Sequence, residues 1–308
     1  MDGAINLFKP SGITSFKATE QVKKITGAKK CGHGGTLDPL AEGVLPIFLN
    51  KATKIIPFLK NSEKSYVATI RLGIITDTMD SEGRVIEEVR DCEIPSIAKV
   101  EEIVKNFEGE IEQKPPVYSA VKYKGHKLYE YARKNIAVDR RARRVKINKI
   151  DIVFYEFPFL KINVICSSGT YIRSLADDIG RMLGCGGHIS SLLRTRSGMF
   201  TLEDTITLEE LKKRNGIDTD DKYFKKVDEL LSDYKEARIP DTLKRNLLNG
   251  LPFSSEDIKG VSDKIKENEY LKVKDSNDKI IAIVQSVSKK SATGSEKNFI
   301  FKVKRVFN

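Results

Sequence analysis

The sequence predicts an α+β fold, in which a large domain with a mixed and partly antiparallel sheet precedes a small β domain. Two strand-like stretches, Val145 to Tyr155 and Phe159 to Cys166, follow each other closely and are predicted to pair. Helical periodicity alternates with strand patterns before a polar zone at 218–233, and short β-type runs follow that zone. We therefore assign residues 1–235 to the large domain and residues 236–308 to the small one.

The first 72 residues contain three predicted strands and one predicted helix. Ser15 is the predicted N-cap of the helix and Gly27 its stop, because Ala18, Val22 and Ile25 recur at helical spacing between them. The predicted elements are the strand Ala4 to Phe8, the helix Phe16 to Ile25, the strand Val44 to Asn50 and the alternating strand Ser65 to Leu72.

The remaining elements follow from the same rules of periodicity and capping. Gly109 closes the first of the later helices, and a Thr cap begins the last. The predicted helices are Ser96 to Phe107, His126 to Arg133, Tyr171 to Leu183 and Thr207 to Arg214. The predicted strands are Arg84 to Val89, His188 to Phe200, Tyr270 to Val273, Ile280 to Val284 and Asn298 to Val306.

The charge of the chain is strongly clustered. Its net charge is +11, with a calculated pI of about 9.3, and residues 114–149 carry twelve Lys and Arg side chains against two acidic ones. Four tyrosines lie within this basic segment: Tyr118, Tyr123, Tyr129 and Tyr131. Clustered cations with interleaved aromatic residues favour a nucleic-acid backbone as partner, although a solvated basic face gives the same pattern.

The cysteine pattern and the hydropathy predict a reduced, cytoplasmic protein. Cys31, Cys92, Cys166 and Cys185 have neither CxxC spacing nor the regularity of a disulfide framework. The N-terminus has no basic stretch followed by an apolar run, and eighteen apolar residues never stand together. We therefore expect neither export nor membrane insertion.

The stretch from Gly32 to Ile47 is the strongest candidate for a functional loop. Glycines and prolines crowd its first half and exclude a regular helix or central strand there, and the chain turns apolar after Gly43. Asp38, between Leu37 and Pro39, is the carboxylate of this first half, so a rigid loop would present one acid from a packed scaffold. On this feature alone, a turn-capping aspartate is the simpler interpretation.

Several classes of chemistry fit the sequence poorly. The three histidines are far apart and no metal-ligand spacing occurs, so we expect no metal. The GxSxG elbow of serine hydrolases is missing, and the glycines near Asp38 lack the Lys-Ser/Thr of a phosphate loop and the strand–loop–helix order of dinucleotide binding. Cofactor-free chemistry through one carboxylate on RNA or DNA remains.

A second element points to the same chemistry. In the stretch Gly169 to Asp178, a turn leads into a helix and places Arg173 in its first turn, where a cation opposes the helix dipole. Arg173 therefore requires a carboxylate partner, and an arginine beside an acid also keeps that acid ionised. An i,i+4 pair with Asp177 would satisfy Arg173 equally well.

These residues together resemble the TruB family of tRNA pseudouridine synthases. The resemblance is strong over about the first 215 residues and extends more weakly to the tail, which resembles the PUA-type RNA-binding domain. The matching motifs, in order, are Lys9 to Ser15, the loop 32–47, the Tyr66 strand, Pro116 to Arg133 and Gly169 to Leu175. The implied fold is a pseudouridine synthase catalytic domain with a small PUA-like domain.

The resemblance also implies a reaction. Enzymes of this family isomerise uridine 55 in the T-loop of tRNA to pseudouridine without cofactor or metal, by breaking N1–C1′, rotating the uracil and forming C5–C1′. Asp38 stands where the family has its catalytic aspartate, and it would act either as a nucleophile at C1′ or as a base on the C2′ hydrogen. The target base would be flipped out of the RNA.

Further site residues follow from motif position. Tyr66 would stack on the target base, and Arg173 would pair with Asp38. Leu192 would line the pocket, or Leu193 if the motif is aligned one residue further along. His33 would support the gap left by flipped bases, and Asp77 would be the acidic pocket residue. The cations expected on the T-arm backbone are Lys122, Lys124, Lys127, Arg133, Arg140, Arg141, Arg143 and Arg144.

The resemblance is to the stand-alone bacterial form, which implies a monomer without an obligatory protein partner. The chain has Glu42 where many members carry Thr, which removes no chemical group from the assignment. Two alternatives remain: the same fold acting on another RNA within a guide-RNA particle, and an RNA-binding chaperone that folds tRNA without catalysis. Intact Asp38, Tyr66 and Arg173 argue against the chaperone alone.

Overall fold

A computed structural model describes residues 1–59, 62–119, 121–134, 136–258, 265–288 and 299–307. The helices are α1 Ser15–Thr26, α2 Ile97–Lys105, α3 Leu128–Arg133, α4 Ile172–Met182, α5 Leu208–Lys213, α6 Val227–Leu230 and α7 Asp241–Leu248, with 3₁₀ turns at Asn50–Phe58 and Ser255–Asp257. Strands β1 to β10 are Gly3–Lys9, Cys31–His33, Glu42–Leu49, Lys64–Leu72, Ile74–Thr76, Val85–Glu88, Gly109–Gln113, Lys122–Tyr123, His126–Lys127 and Arg143–Glu156. Strands β11 to β20 are Phe159–Cys166, Gly187–Ser197, Phe200–Thr201, Ile206–Thr207, Phe224–Lys226, Lys235–Arg238, Phe253–Ser254, Tyr270–Lys274, Ile280–Ser288 and Phe299–Val306.

Within the described ranges, eleven strands form one mixed sheet. Its main order is β14-β1-β3-β12-β4-β11-β10-β7, with β15, β2 and β13 attached to β1, β3 and β12. The β1–β14 and β3–β12 pairs are parallel and the others are antiparallel, including β10 with β11 as predicted. Apolar residues of the central strands, of α1 and of α4 form the main core. The α+β prediction is confirmed.

A second sheet contains the C-terminal strands in the order β16-β18-β19-β20-β17, and it has its own apolar cluster around Phe301 and Val273. The predicted strand from Asn298 is β20 and begins at Phe299, while Asn298 itself lies outside the described residues. Tyr234, immediately before β16, donates through Oη to the Phe58 carbonyl at 2.6 Å and so links the second sheet to the 3₁₀ turn that follows β3. No helix in the described part of the chain is long and apolar enough to cross a membrane.

Two helix starts differ from the prediction. The N-cap of α1 is Thr14, whose side chain accepts a hydrogen bond from the Lys17 amide, because the Ser15 hydroxyl faces inward and bonds to the backbone of Leu37 instead. The helix predicted from His126 begins at Leu128, because His126 pairs with Tyr123 in the short β8–β9 hairpin. The first difference arises from a tertiary contact and the second from a local hairpin, and each competes with helix formation.

Gly43 allows β3 to lie beside β12. The two strands pair at Arg194↔Gly43, Gly43 has φ of +101°, and a Cβ there would lie 2.3 Å from the Arg194 carbonyl oxygen. We expect Gly43→Ala to lower the free energy of unfolding by at least ~2 kcal/mol more than Gly109→Ala. Gly109 is the matched control, since its φ is +103° and nothing lies within 4 Å of an added Cβ. Equal losses in urea denaturation would contradict the steric account.

Candidate active site

The loop that carries Asp38 is tied to the segment Lys9 to Ser15. The Lys9 ammonium donates to the Pro39 carbonyl at 3.2 Å, and the Gly12 amide donates to the same oxygen at 2.9 Å. The Ser15 hydroxyl and the Leu37 backbone exchange two hydrogen bonds of 2.8 Å. The residues before and after Asp38 are therefore both anchored, which holds its carboxylate in one place.

Lys9 is a fully buried cation beneath this loop. Its ammonium donates to three carbonyls, those of Pro10, Ile13 and Pro39, which use all of its donors. Burial lowers the pKa of Lys9 to about 8, while the charge of nearby Asp38 acts in the opposite direction. Lys9 therefore holds the loop in place through its hydrogen bonds and also supplies positive potential near Asp38.

Arg173 connects four segments of the chain at the site. It is 5% exposed, and its Nη2 donates to Asp38 Oδ1 at 3.1 Å and to the Tyr118 carbonyl at 2.9 Å. Its Nη1 donates to the Thr78 carbonyl at 2.9 Å and to Asp80 Oδ2 at 3.2 Å. Nε lies 2.9 Å from Asp38 Oδ2 but lacks the alignment of a hydrogen bond. One guanidinium thus pairs with two carboxylates and fixes both.

The ionisation of Asp38 is balanced between burial and charge. Burial raises the pKa of the Asp38 carboxyl above its ordinary value, the Arg173 guanidinium lowers it, and the Asp80 carboxylate raises it. The net direction is upward, although the side chain is 32% exposed toward the neighbouring cavity. The ionised form of Asp38 therefore depends on Arg173.

The alternative partner of Arg173 is excluded by the structure. Asp177, one turn along α4, pairs with Arg181 at 2.8 Å. Arg173 instead points from the first turn of α4 into the cleft beside the Asp38 loop. The predicted contact between Arg173 and Asp38 is present.

Asp77 does not occupy the place predicted for it. Its carboxylate accepts hydrogen bonds from the backbone and side chain of Arg84, at 2.9 and 3.2 Å, and does not border the cavity beside Asp38. Asp80, three residues later and 3% exposed, is the carboxylate that meets Arg173. The structure therefore places Asp80, and not the predicted Asp77, against Arg173.

A cavity of about 230 Å³ opens beside the Asp38 carboxylate. Tyr66 from β4 and Leu192 from β12 form apolar walls, and burial raises the pKa of the Tyr66 phenol, so it is neutral. Leu192 borders the cavity, whereas Leu193 packs near Gly43. The full lining is Thr36, Leu37, Asp38, Lys64, Tyr66, Ser119, Gly169, Thr170, Tyr171, Ile172, Arg173 and Leu192.

His33 lies near the site but outside this small cavity. It borders a larger, more open cavity of about 1060 Å³ between the two sheets. Burial, Arg194 and Lys64 all lower the pKa of its imidazole, so the ring is neutral near pH 7, and Nδ1 has no hydrogen-bond partner within the described residues. In that same part of the chain, no group of three or more His, Cys, Asp or Glu side chains could hold a metal ion.

The basic segment begins at the rim of the small cavity. Ser119 lines the cavity, and the Lys114 carbonyl accepts a hydrogen bond from Ser174 of α4. Among the predicted RNA-contacting cations, Lys122, Lys124, Arg133, Arg141, Arg143 and Arg144 are exposed, while Lys127 and Arg140 are partly buried. Lys127 and Arg133 both cover the Tyr129 ring at 5.4 Å.

Sequence reasoning missed Arg194 and Asp80 as parts of the site, and recognised Lys9 only within a motif. Arg194 is completely buried, and it donates to the carbonyls of Val44 at 2.7 Å, Gly35 at 3.2 Å and Thr36 at 3.5 Å. Arg194 lies at the polar end of a strand, and nothing in the sequence there indicates that its side chain is buried, since charged side chains are rarely buried. For Asp80, the only signal was a second acid in the same turn.

The comparisons with known proteins agree over nearly the whole chain. The family model described as "TruB family pseudouridylate synthase (N terminal domain)" matches residues 23–172, and "tRNA pseudouridylate synthase B C-terminal domain" matches residues 173–237. The tRNA pseudouridine synthase B of Clostridium kluyveri is 41% identical over 100% of both chains. That of Clostridium tetani is 42% identical over 92% of this chain and 96% of the relative.

Solved structures show the same fold. A chain in the crystal structure of a Cbf5–Nop10–Gar1 complex superposes with a TM-score of 0.74 at 31% identity, covering 99% of this chain and 85% of that one. A chain in an H/ACA RNP bound to a substrate RNA containing 2′-deoxyuridine gives 0.72 at 29% identity, with 99% and 85% covered. With an anchored aspartate, its arginine and a base-sized cavity in a chain so similar to these relatives, the protein belongs to the TruB family of pseudouridylate synthases.

Proposed function

We propose that this protein isomerises uridine 55 in the T-loop of tRNA to pseudouridine, with Asp38 as the catalytic carboxylate. The observation that carries the proposal is the pairing of Asp38 with Arg173 at the edge of a cavity walled by Tyr66 and Leu192. Relatives at 41 and 42% identity are named tRNA pseudouridine synthase B. The chain is thus an RNA-modifying isomerase, and the roles of its residues follow from the geometry.

The reaction needs no net change in composition. The N1–C1′ bond breaks, the detached uracil rotates, and a C5–C1′ bond forms while the C5 hydrogen leaves as a proton and N1 gains one. Asp38 acts on the ribose, by attack at C1′ or by removal of the C2′ proton, and both routes require the ionised carboxylate. Arg173 supports that form by its charge and its hydrogen bond.

The small cavity suits the base rather than the whole nucleotide. Its volume of about 230 Å³ is below that of sites for drug-sized ligands, which hold roughly 300–1,000 Å³. A uridine inside a folded loop must leave its stack to reach Asp38, and the Tyr66 ring offers a face on which the extruded base can stack. Leu192, on the neighbouring strand β12, adds a second apolar wall.

The rest of the chain would hold the RNA. The cations of segment 114–149 begin at the cavity rim, which places a positive surface where the T-arm backbone would leave the site. We assign residues 1–235 to catalysis and residues 236–308 to a PUA-like RNA-binding domain, a boundary that lies within one residue of the start of the second sheet at Lys235. We further propose that the protein acts as a monomer without an obligatory protein partner. The activity on tRNA supports a cytoplasmic location.

A T-arm stem-loop RNA tests this proposal with the least material. We expect the wild-type protein to convert the target uridine in the isolated stem-loop, and to leave a matched RNA with cytidine at that position unchanged. Pseudouridine is read by carbodiimide labelling and reverse transcription. Tight binding of the stem-loop without conversion would instead favour an RNA-binding chaperone.

A further inference from the structure

Within the part of the chain that the structure describes, Lys64 is a cation without a partner at the junction of the two cavities. It borders both the small cavity at Asp38 and the larger cavity of about 1060 Å³ that opens to solvent. It is at the start of β4, two residues before Tyr66, so both side chains lie on the same face of the strand. Lys64 therefore lies where an RNA strand that enters through the larger cavity would reach the small cavity at Asp38.

The neighbours of Lys64 leave its charge uncompensated. The adjacent carboxylate, Glu63, is taken by Arg196 and by Asn148, whose amide donates to it at 2.6 Å. Among the described residues, Lys64 Nζ has no hydrogen bond or ion pair, and a Cβ at Gly35 would lie 2.8 Å from it. Its ammonium thus has three free donors in a recess.

The other charged groups near Lys64 do not supply an anion. Arg194 on β12 is a second cation, and three of its N–H groups donate to backbone carbonyls. Asp38, which borders the small cavity together with Lys64, is paired with Arg173, and the other titratable neighbours are His33 on β2, Cys166 on β11 and Tyr66 on β4. Burial, followed by the charge of Arg194, lowers the pKa of Lys64 to about 8. An anion from the ligand would restore the charge balance.

We propose that Lys64 binds a phosphate next to the target nucleotide and so seats its ribose against Asp38. A uridine whose base fills the small cavity brings one flanking phosphate to the junction of the cavities, and Lys64 is the free cation at that junction among the described residues. Lys64 acts by binding and positioning, and takes no part in bond changes. This inference rests on the proposed function, because it needs a nucleotide at Asp38.

The proposal predicts a pH dependence of RNA binding. In the free protein, Lys64 is charged below pH 8 and loses its proton as the pH rises through about 8. A bound phosphate raises that pKa, so binding above pH 8 takes up a proton and affinity falls as the pH increases. Calorimetric titration with the T-arm stem-loop in two buffers of different ionisation enthalpy measures this uptake at pH 8.5 to 9.

The deciding experiment compares Lys64→Met, Lys64→Arg and the exposed control Lys161→Met. We expect Lys64→Met to weaken stem-loop binding by about tenfold and to reduce the slope of log K against log salt by about 0.7 to 0.9. Lys64→Arg should restore binding together with any loss of kcat seen in Lys64→Met, and Lys161→Met should match the wild type. Circular dichroism verifies that each variant is folded.

Stem-loops with one neutral methylphosphonate, placed on the 5′ or the 3′ side of the target uridine, identify the phosphate. The substitution that weakens wild-type binding but leaves Lys64→Met unaffected marks the contact. An unchanged salt slope in Lys64→Met would overturn the proposal. A loss of kcat in Lys64→Met that Lys64→Arg does not restore would also overturn it, because that result would indicate a role in proton transfer. These experiments measure binding without turnover. If the wild-type protein bound the stem-loop but formed no pseudouridine, the proposed function would be disproved, and the binding test of Lys64 would still apply.

Discussion

Asp38→Asn is expected to lower kcat for pseudouridine formation by at least about 10⁴-fold while tRNA binding stays within roughly threefold of wild type. Asparagine has nearly the shape of aspartate and keeps an oxygen that can accept the Arg173 hydrogen bond of 3.1 Å. It lacks the negative charge that attack at C1′ or removal of the C2′ proton needs. Single-turnover conversion and filter binding with the same tRNA measure the two quantities.

Asp77→Asn is the matched control for this variant. It removes one carboxylate from the same site region, but Asp77 is bonded to Arg84 and does not border the small cavity. We expect near wild-type kcat from Asp77→Asn. A large loss in both variants would show that general charge or stability, and not the position of Asp38, governs activity.

Arg173→Met is expected to lower kcat by about 10² to 10³-fold and to move the acid limb of its pH profile upward. Arg173 lowers the pKa of Asp38 against the effect of burial, so its removal raises that pKa further. Activity requires ionised Asp38 and is lost as the pH falls through its pKa. The loss therefore begins at a higher pH in the variant, and kcat measured from pH 5 to 9 shows the shift.

Arg173→Lys is the second variant for this prediction, since Arg173→Met leaves the buried Asp80 carboxylate without its cation and costs about 3–5 kcal/mol of stability. Lysine keeps one positive charge but cannot reach both carboxylates with a planar fork. We expect its acid limb to lie between those of wild type and Arg173→Met. An unchanged limb in both variants would contradict the assignment of that limb to Asp38.

The architecture was accessible from sequence because it depends on periodicity. The alternation from Ser65 to Leu72 predicted β4, and the buried residues of that strand are those on the predicted apolar face, such as Tyr66 and Ala68. The turn and helix around Arg173 followed from glycine and polar residues in the same way. Apolar residues that recur every two residues in a strand, or every 3.6 residues in a helix, mark the buried face of that element, and this pattern can be seen in the local sequence.

The partner choices within the site depended on tertiary contacts. Asp77 and Asp80 lie in one polar turn, and Asp80 reaches Arg173 because that turn docks on β12, where Ile189 exchanges backbone hydrogen bonds of 3.0 and 2.9 Å with Met79 and Ser81. No local pattern separates the two acids. Lys9 likewise appeared only as the first residue of the motif Lys9 to Ser15, although its side chain is fully buried under the Asp38 loop.

The central claim is that this chain makes pseudouridine at one uridine through Asp38. The most direct measurement mixes excess wild-type protein with an unmodified, full-length tRNA transcript and maps pseudouridine at every uridine after one turnover, beside Asp38→Asn under the same conditions. The account predicts stoichiometric pseudouridine at position 55 alone with wild type, and bound but unmodified tRNA with Asp38→Asn. Pseudouridine formed by Asp38→Asn at the wild-type rate, or tRNA bound by the wild type without any product, would contradict it.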